Sequence, residues 1–234
     1  MTVLNQTGPS FNLDLNDAVE EAFERCGAEL RTGYDLRTAR RSMNLLFADW
    51  ANRGINLWTV DSGTINLTQG TSVYNLPDDT VDLLEHVIRT GAGNVSTQVD
   101  LTITRISNST YSSIPNKLQQ ARPIQVWINR QAPTPQINLW PTPDQTGVYQ
   151  FVYWRLRRIQ DAGEGGTYTQ DIPFRFLPPL VSGLAYYLAL KIPGAIERLP
   201  VLKEQYDSDW DRASSEDREK AAVRFVPREM FIGG

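Results

Sequence analysis

The chain has 234 residues, which is enough for one or two domains that each bury a hydrophobic core. Its 23 Lys and Arg against 27 Asp and Glu give a net charge of −4, which excludes the strongly basic class of nucleic-acid-binding proteins. A hydrophobic fraction of 41% argues against a disordered chain, and the single cysteine, Cys26, excludes an internal disulfide and a thiolate metal cluster.

Residues 1–58 are predicted to form two helices. The first has Asn16 as its expected N-cap and an apolar stripe at helical spacing, formed by Val19, Phe23, Cys26 and Leu30. The second starts near Asp35, and its stripe consists of Leu36, Ala39, Met43, Leu46 and Trp50. Because each helix has one apolar face, we expect the two to pack antiparallel and to need a third partner.

From residue 59 to residue 160 the hydrophobic period changes from 3.6 to 2, the period of a strand. The alternating segments lie at Ile65–Leu67, Val73–Leu76, Val81–Arg89, Val99–Ile103, Ile124–Ile128, Ile137–Leu139 and Val148–Arg158. Turns rich in Gly, Pro and Asn separate these segments. The pattern indicates an antiparallel β-sandwich or small barrel inserted in the chain.

Residues 161–222 return to helical spacing. One stripe consists of Phe176, Leu180, Leu184 and Leu188, and a longer one of Ile196, Leu199, Leu202, Tyr206, Trp210 and Ala213. We expect the helices from both ends of the chain to close one bundle around the inserted β domain, which makes an α+β fold. Residues 223–234 have no period and are predicted to form an extended C-terminal arm.

Neither a membrane segment nor an export signal is expected. The uncharged run Phe176–Leu190 is too short to cross a hydrocarbon core of about 30 Å and is interpreted as a buried core helix. The N-terminal stretch MTVLNQTGPSFNLDLNDA lacks the basic and apolar blocks of a signal peptide, so we expect synthesis in a reducing cytoplasm.

Candidate catalytic and metal-binding residues are few. His86 is the only histidine and lies in an apolar stretch, which favours a structural role. The carboxylates Asp207, Asp209 and Asp211 imitate the start of a calcium loop. That motif fails because Arg212 and Arg218 occupy the positions where glycine and glutamate are required. We therefore expect no enzymatic activity, no cofactor and no metal ion.

The paired carboxylates Asp78 and Asp79 leave one enzymatic alternative, a cell-wall hydrolase. Adjacent residues on one strand point to opposite faces, and in a Pro–Asp–Asp turn both carboxylates are expected to be solvated. The sequence therefore favours a non-catalytic interpretation of the pair.

Positive charge is concentrated between Arg89 and Arg158, where eight Lys and Arg face two acids, a net of 8 − 2 = +6. The last predicted strand places aromatic and basic side chains on one face: Tyr149, Phe151, Tyr153, Arg155 and Arg157. Such a face is typical of a nucleic-acid platform, so Tyr149, Tyr153, Arg155 and Arg157 are candidate contacts. The sequence favours the alternative in which the aromatic rings pack within the sheet while the arginines extend to solvent or pair at its edge. A third interpretation is that this face meets an acidic neighbouring subunit.

The C-terminal arm combines apolar residues with arginines. Its candidate contact residues are Arg224, Phe225, Val226, Pro227, Arg228, Met230, Phe231 and Ile232. A frayed terminus is the alternative interpretation. Because exposed termini rarely keep so many large apolar residues, the composition favours docking on a partner protein.

Four runs in this order resemble the head-to-tail adaptor proteins of tailed bacteriophages: RRSMNLLFADWANRGINLWTV, GTSVYNLPDDTVDLLEHVIR, TYSSIPNKLQQARPIQVWINRQ and DIPFRFLPPLVSGLAYYLALK. These proteins are also called head-completion or packaged-DNA stabilisation proteins and occur notably in short-tailed phages. The resemblance extends from about Asp17 to Ala222.

The resemblance implies a non-enzymatic virion protein at the head–tail interface, made in the host cytoplasm. It implies a ring of about twelve copies on the portal protein that extends the DNA channel, helps to retain the genome and carries the tail nozzle or tail tube. Double-stranded DNA would pass through without sequence-specific contacts, and no membrane is involved. The helical bundle would form the ring wall, and the segment Arg224–Ile232 would reach the portal.

Overall fold

The computed structural model describes residues 14–31, 33–54, 57–160 and 172–217. The helices within these ranges are α1 (Leu15–Cys26), α2 (Gly33–Asn52), α3 (Asn108–Ser112), α4 (Leu177–Ala189) and α5 (Leu199–Glu216). The strands are β1 (Val60–Asn66), β2 (Val73–Asn75), β3 (Thr80–Thr90), β4 (Val99–Thr102), β5 (Thr104–Arg105), β6 (Gln125–Asn129), β7 (Gln136–Trp140) and β8 (Tyr149–Arg157). The predicted α+β fold is confirmed, with strands inserted between helices at both ends. The predicted arm, residues 223–234, lies outside the described residues.

Helix α1 is shorter and starts earlier than its sequence pattern predicts. Its N-cap is Asp14, whose side chain accepts a hydrogen bond from the Asp17 backbone N–H at 2.8 Å, so the prediction of Asn16 is wrong. The helix ends at Gly27, which has a left-handed φ of 77° that glycine adopts without strain. Leu30, expected on the helical stripe, therefore lies beyond the helix and packs against the core from a loop.

Helix α4 is the centre of the helical core. Helices α1, α2 and α5 all pack on α4, whereas α1 and α2 contact each other only slightly. The prediction that α1 and α2 need a third partner therefore describes the bundle better than the prediction that they pack against each other. Most of α4 is buried, which explains why its sequence carries no charge. The interpretation of the run as a buried core helix is confirmed for most of Phe176–Ala189, whereas Leu190 lies just after the helix and is 61% exposed. No helix in the described ranges is long and apolar enough to span a membrane.

Aromatic side chains join α2, α5 and the start of α4. Trp50 is fully buried, and its Nε1 donates a hydrogen bond to the hydroxyl of Tyr206 at 2.9 Å. The Trp50 ring lies 5.7 Å from that of Phe176 and 5.1 Å from that of Trp210. Trp58, just before β1, continues this cluster with its ring 4.4 Å from Phe176. The aromatic cluster therefore connects the bundle to the entry of the β domain.

Helix α5 begins three residues later than its apolar pattern predicts. Leu202, Tyr206 and Ala213 are buried as expected. Ile196 instead lies in a short 3-10 turn and is 72% exposed, so its place on the predicted stripe is wrong.

The β domain consists of two four-stranded sheets with the orders β1-β8-β3-β4 and β2-β7-β6-β5. Their pairs are antiparallel except β5 with β6, which is parallel and was not predicted. The inward side chains form a second core: Leu67, Leu76, Leu83, Ile88, Val126, Ile128, Ile137, Leu139, Tyr149, Phe151 and Tyr153. Because residues of both sheets share this core, the domain is a sandwich.

Asp217, at the end of α5, ties the two ends of the β insertion to the bundle. Its buried carboxylate accepts a hydrogen bond from the Leu57 backbone N–H at 2.9 Å and pairs with Arg175. Leu57 lies just before β1, and Arg175 lies just before α4. On the exit side, Ile159 after β8 is buried in the helical core. The chain therefore enters and leaves the β domain against the same bundle.

A pair of glycine substitutions tests the close packing around α4. A Cβ added at Gly183 would lie 2.8 Å from the Tyr206 ring and 3.0 Å from Leu46, whereas a Cβ at Gly33 in α2 meets nothing within 4 Å. Gly183→Ala should lower the free energy of unfolding by about 1–3 kcal/mol because the core is overpacked. Gly33→Ala should be neutral or stabilise by up to about 1 kcal/mol. Urea unfolding followed by tryptophan fluorescence measures both, and a Gly183→Ala variant as stable as Gly33→Ala would contradict the packing.

Candidate interaction surfaces

The predicted aromatic and basic face of β8 is not an exposed platform. Strand β8 is central in its sheet, between β1 and β3. Tyr149 and Tyr153 are 8% and 4% exposed and belong to the sandwich core together with Phe151. These rings are therefore not available to stack on nucleic-acid bases, and the residues form the packed interior that the alternative interpretation describes.

The structure brings the two predicted arginines together with carboxylates. The Arg155 side chain is 11% exposed and pairs with Asp79 and, at 3.5 Å, with Asp61. The Arg157 side chain is 13% exposed, and its Nε lies 3.0 Å from the Asp61 carboxylate. The geometry matches the predicted alternative in which both arginines pair at the edge of the sheet.

Much of the positive charge counted between Arg89 and Arg158 is paired with carboxylates. Three further cations of this segment also pair with carboxylates: Arg89 with Asp100 at 2.7 Å, and Arg105 and Arg130 with Asp82 at 2.9 and 3.6 Å. Asp61, Asp79 and Asp82 all precede the segment in sequence. A count over consecutive residues missed these partners because the sheet pairs strands that are distant in sequence.

The candidate carboxylate pair of the hydrolase alternative is already engaged. Asp78 accepts a hydrogen bond from the Thr134 hydroxyl at 2.6 Å. Partial burial by itself raises the pKa of Asp79, but the hydrogen bond and charge of Arg155 outweigh it and hold the pKa below its ordinary value. A carboxylate with a lowered pKa is a poor proton donor near neutral pH, so Asp79 does not suit the role of general acid.

Of the two residues most often used as nucleophile or base, Cys26 lies in the helical core and His86 is half-buried beside the sandwich core. The Cys26 thiol donates to the Ala185 carbonyl at 3.1 Å, and burial raises its pKa to about 11. The His86 ring stacks on Phe151 at 5.9 Å, and neither of its buried nitrogens has a hydrogen-bond partner among the described residues. Within the same ranges no group of three His, Cys, Asp or Glu is placed to hold a metal ion.

One surface that the sequence reasoning missed is a groove between α1 and the start of α4, here called the α1–α4 groove. Its wall carries the carboxylates of Asp17, Glu20, Glu21 and Glu24 together with Arg25, and its floor consists of Phe174, Leu177, Pro178 and Val181. Phe174 is 69% exposed. The signal was present in the sequence, because acids spaced three, four and seven residues apart share one face of a helix.

The predicted arm residues Arg224 to Ile232 lie outside the described residues. The described chain ends at Asp217, whose partner Arg175 is next to Phe174 of the groove floor. The last described residue therefore pairs with a residue that is adjacent in sequence to the groove floor.

The pKa of His86 predicts a pH dependence of stability. Burial, reinforced by the charge of Arg105, lowers this pKa below the ordinary value of 6.5. Between the two values the unfolded chain binds more protons than the folded one, so the free energy of unfolding should fall as the pH drops below 6.5 and level off below the folded pKa. Urea unfolding at about pH 7.5 and about pH 5.5 should show a smaller loss for His86→Phe than for the unsubstituted protein. Equal losses of unfolding free energy in the two proteins would contradict the contribution of His86.

Comparison with known proteins places the whole described structure in one family. The family model for SU10 adaptor protein matches residues 13–228, which include both cores and the first half of the predicted arm. No curated protein sequence matches the chain. The match agrees with the resemblance to phage head-to-tail adaptors seen in the sequence. The chain therefore belongs to the SU10 adaptor protein family, a family of phage adaptors that are structural components of the virion.

Proposed function

We propose that the protein is a head-to-tail adaptor that forms a ring of about twelve copies between the portal protein and the tail nozzle or tail tube. The ring extends the DNA channel and helps to retain the packaged genome. The observation that carries this proposal is the family match over residues 13–228. The short-tailed type of phage and synthesis in the host cytoplasm stay predictions.

Each part of the chain has a role in this proposal. Residues 1–58 and 161–222 form the ring wall, residues 59–160 form the inserted β domain, and residues 223–234 form the arm that binds the portal. The packing of α1, α2 and α5 on α4 supports the first assignment, because a wall needs a unit with its own core. The separate sandwich core supports the second.

The ion pairs of the β domain suit a protein that DNA passes without being held. A duplex is retained by cations that are free to neutralise phosphates. Arg89, Arg105, Arg130, Arg155 and Arg157 are instead paired with carboxylates of the same domain. With a net charge of −4 per chain, this arrangement supports transit without sequence-specific contacts.

A ring also permits each portal contact to be weak. When about twelve arms act together, the later contacts form at a high effective concentration, so the assembled ring binds far more tightly than one subunit. A single arm with a few apolar residues and two arginines is sufficient under these conditions. We therefore assign portal binding to Arg224, Phe225, Val226, Pro227, Arg228, Met230, Phe231 and Ile232.

Light scattering with and without purified portal protein from the same phage tests the proposal. We expect a chain that is monomeric alone and that joins the portal in a fixed number of copies close to twelve. A protein that does not bind the portal at any concentration, or that is missing from purified virions, would contradict the adaptor function.

Deleting Val223–Gly234 should remove portal binding and leave the fold intact, because both described cores end before this segment. Recruitment is measured by light scattering and folding by the urea midpoint. Leu118→Ala, a change at a 79% exposed apolar residue of the β domain, is the matched control and should bind normally. Normal recruitment of the shortened chain would refute the role of the arm.

A further inference from the structure

The α1–α4 groove has the features of a peptide-binding surface. Its floor is apolar and includes the exposed ring of Phe174, while its wall is acidic. Arg25 lies 2.8 Å from Glu21 and compensates only that carboxylate, whereas Glu20 and Glu24 are exposed on the same face of α1. Such a groove fits a segment that combines apolar side chains with positive charge.

The sequence after Asp217 has this composition. Arg224 and Arg228 flank Phe225, Val226 and Pro227, and further apolar residues follow up to Ile232. Within residues 224–232, which hold one acid, Glu229, the two arginines Arg224 and Arg228 complement the uncompensated carboxylates of the groove wall. The apolar residues between them match a floor made of phenylalanine, leucine, proline and valine side chains.

The residues after Asp217 are also numerous enough to reach the groove from the last described position. A second hollow between α4 and α5 is lined by Arg175, Pro178 and Glu216, and Pro178 also lines the α1–α4 groove, so the two hollows meet there. The seven residues from Asp217 to Arg224 span about 23 Å when extended. The helical stretch from Phe174 to Val181 measures only about 10 Å.

We propose that, in the free protein, the arm docks in the α1–α4 groove of its own chain. Arg224 and Arg228 then face Asp17, Glu20 and Glu24, and Phe225 lies on the apolar floor. The arm of the same chain is favoured over that of a second copy because a short tether gives a local concentration of about millimolar, well above that of a dilute monomer.

Docking does not depend on the arm's role at the portal. If the arm also binds the portal as proposed above, the groove and the portal compete for one segment. A monomer whose arm is docked would then release it only where a portal is present, and the groove would limit premature association between free subunits.

Cysteine trapping in the full chain tests the docking. Cys26 is buried with a raised pKa, so it should not compete with introduced thiols. One variant combines Glu20→Cys with Val226→Cys. The matched control combines Glu204→Cys with Val226→Cys, since Glu204 is an exposed acid of α5 that does not line the groove. It lies about 20 Å along the helix from Asp217, within the roughly 30 Å reach of residue 226.

Under mild oxidation of dilute protein, we expect an intrachain disulfide in the Glu20 variant at least about tenfold faster than in the control. Adding Arg224→Glu and Arg228→Glu should abolish the difference. Non-reducing electrophoresis and peptide mass spectrometry identify the products. Equal rates in the two variants would overturn the groove as the docking site, and predominantly interchain disulfides would overturn docking within one chain.

The disulfide-trapped protein then distinguishes a failure of groove docking from a failure of the proposed portal binding by the arm. With the arm locked in the groove, recruitment to the portal should be lost, and reduction should restore it to the level of the reduced Glu204→Cys/Val226→Cys control, which carries the same change at Val226. If the arm does not dock in the groove, the rates of disulfide formation show this in an experiment that contains no portal protein. Undiminished recruitment of the locked protein would instead overturn the competition between groove and portal, and with it the arm's role at the portal.

Discussion

The burial of α4 is the constraint on which the helical part of the molecule depends. This helix has no charged side chain, so it is stable only when other helices cover it. The covering helices come from opposite ends of the chain, α1 and α2 from the start and α5 from the end. Gly183 brings Tyr206 and Leu46 close to the α4 backbone, and Tyr206 accepts the indole hydrogen bond of Trp50. Covering α4 therefore determines where α1, α2 and α5 lie.

In the β domain, ion pairs complement the packed interior. Arg155 and Arg157 are almost fully covered, and a covered guanidinium is stable only beside a carboxylate. Asp61 and Asp79 meet this need at the edge of the sandwich nearest the bundle. The same pairs neutralise part of the positive charge that the sequence of this domain suggests.

The sequence predicted element types better than element ends and surfaces. The helical stripes and the alternating strands reflect burial, so Phe176, Leu184 and Phe151 were placed correctly. The ends of a helix depend on single residues, such as Gly27 with its left-handed backbone and the N-cap Asp14. Hydrophobic periodicity carries no information about these positions. For β8 the sequence left a nucleic-acid platform and a packed face as two interpretations, because alternation shows that a strand has two faces but not whether it is central or at an edge. The α1–α4 groove could not be predicted because it forms between two helices that are distant in sequence. Only the row of acids on its α1 side is visible in the sequence.

The inserted position of the β domain has a consequence for how the chain folds during synthesis. Helices α1 and α2 leave the ribosome first, yet the helix that covers their apolar faces follows only after more than a hundred further residues. The sandwich has its own core and is complete at β8, before α4 is made. Domains generally fold as units during translation, so the interior segment should acquire its structure ahead of the terminal ones. The nascent chain then carries two uncovered helices for most of its elongation, and this interval is when it is most prone to aggregate.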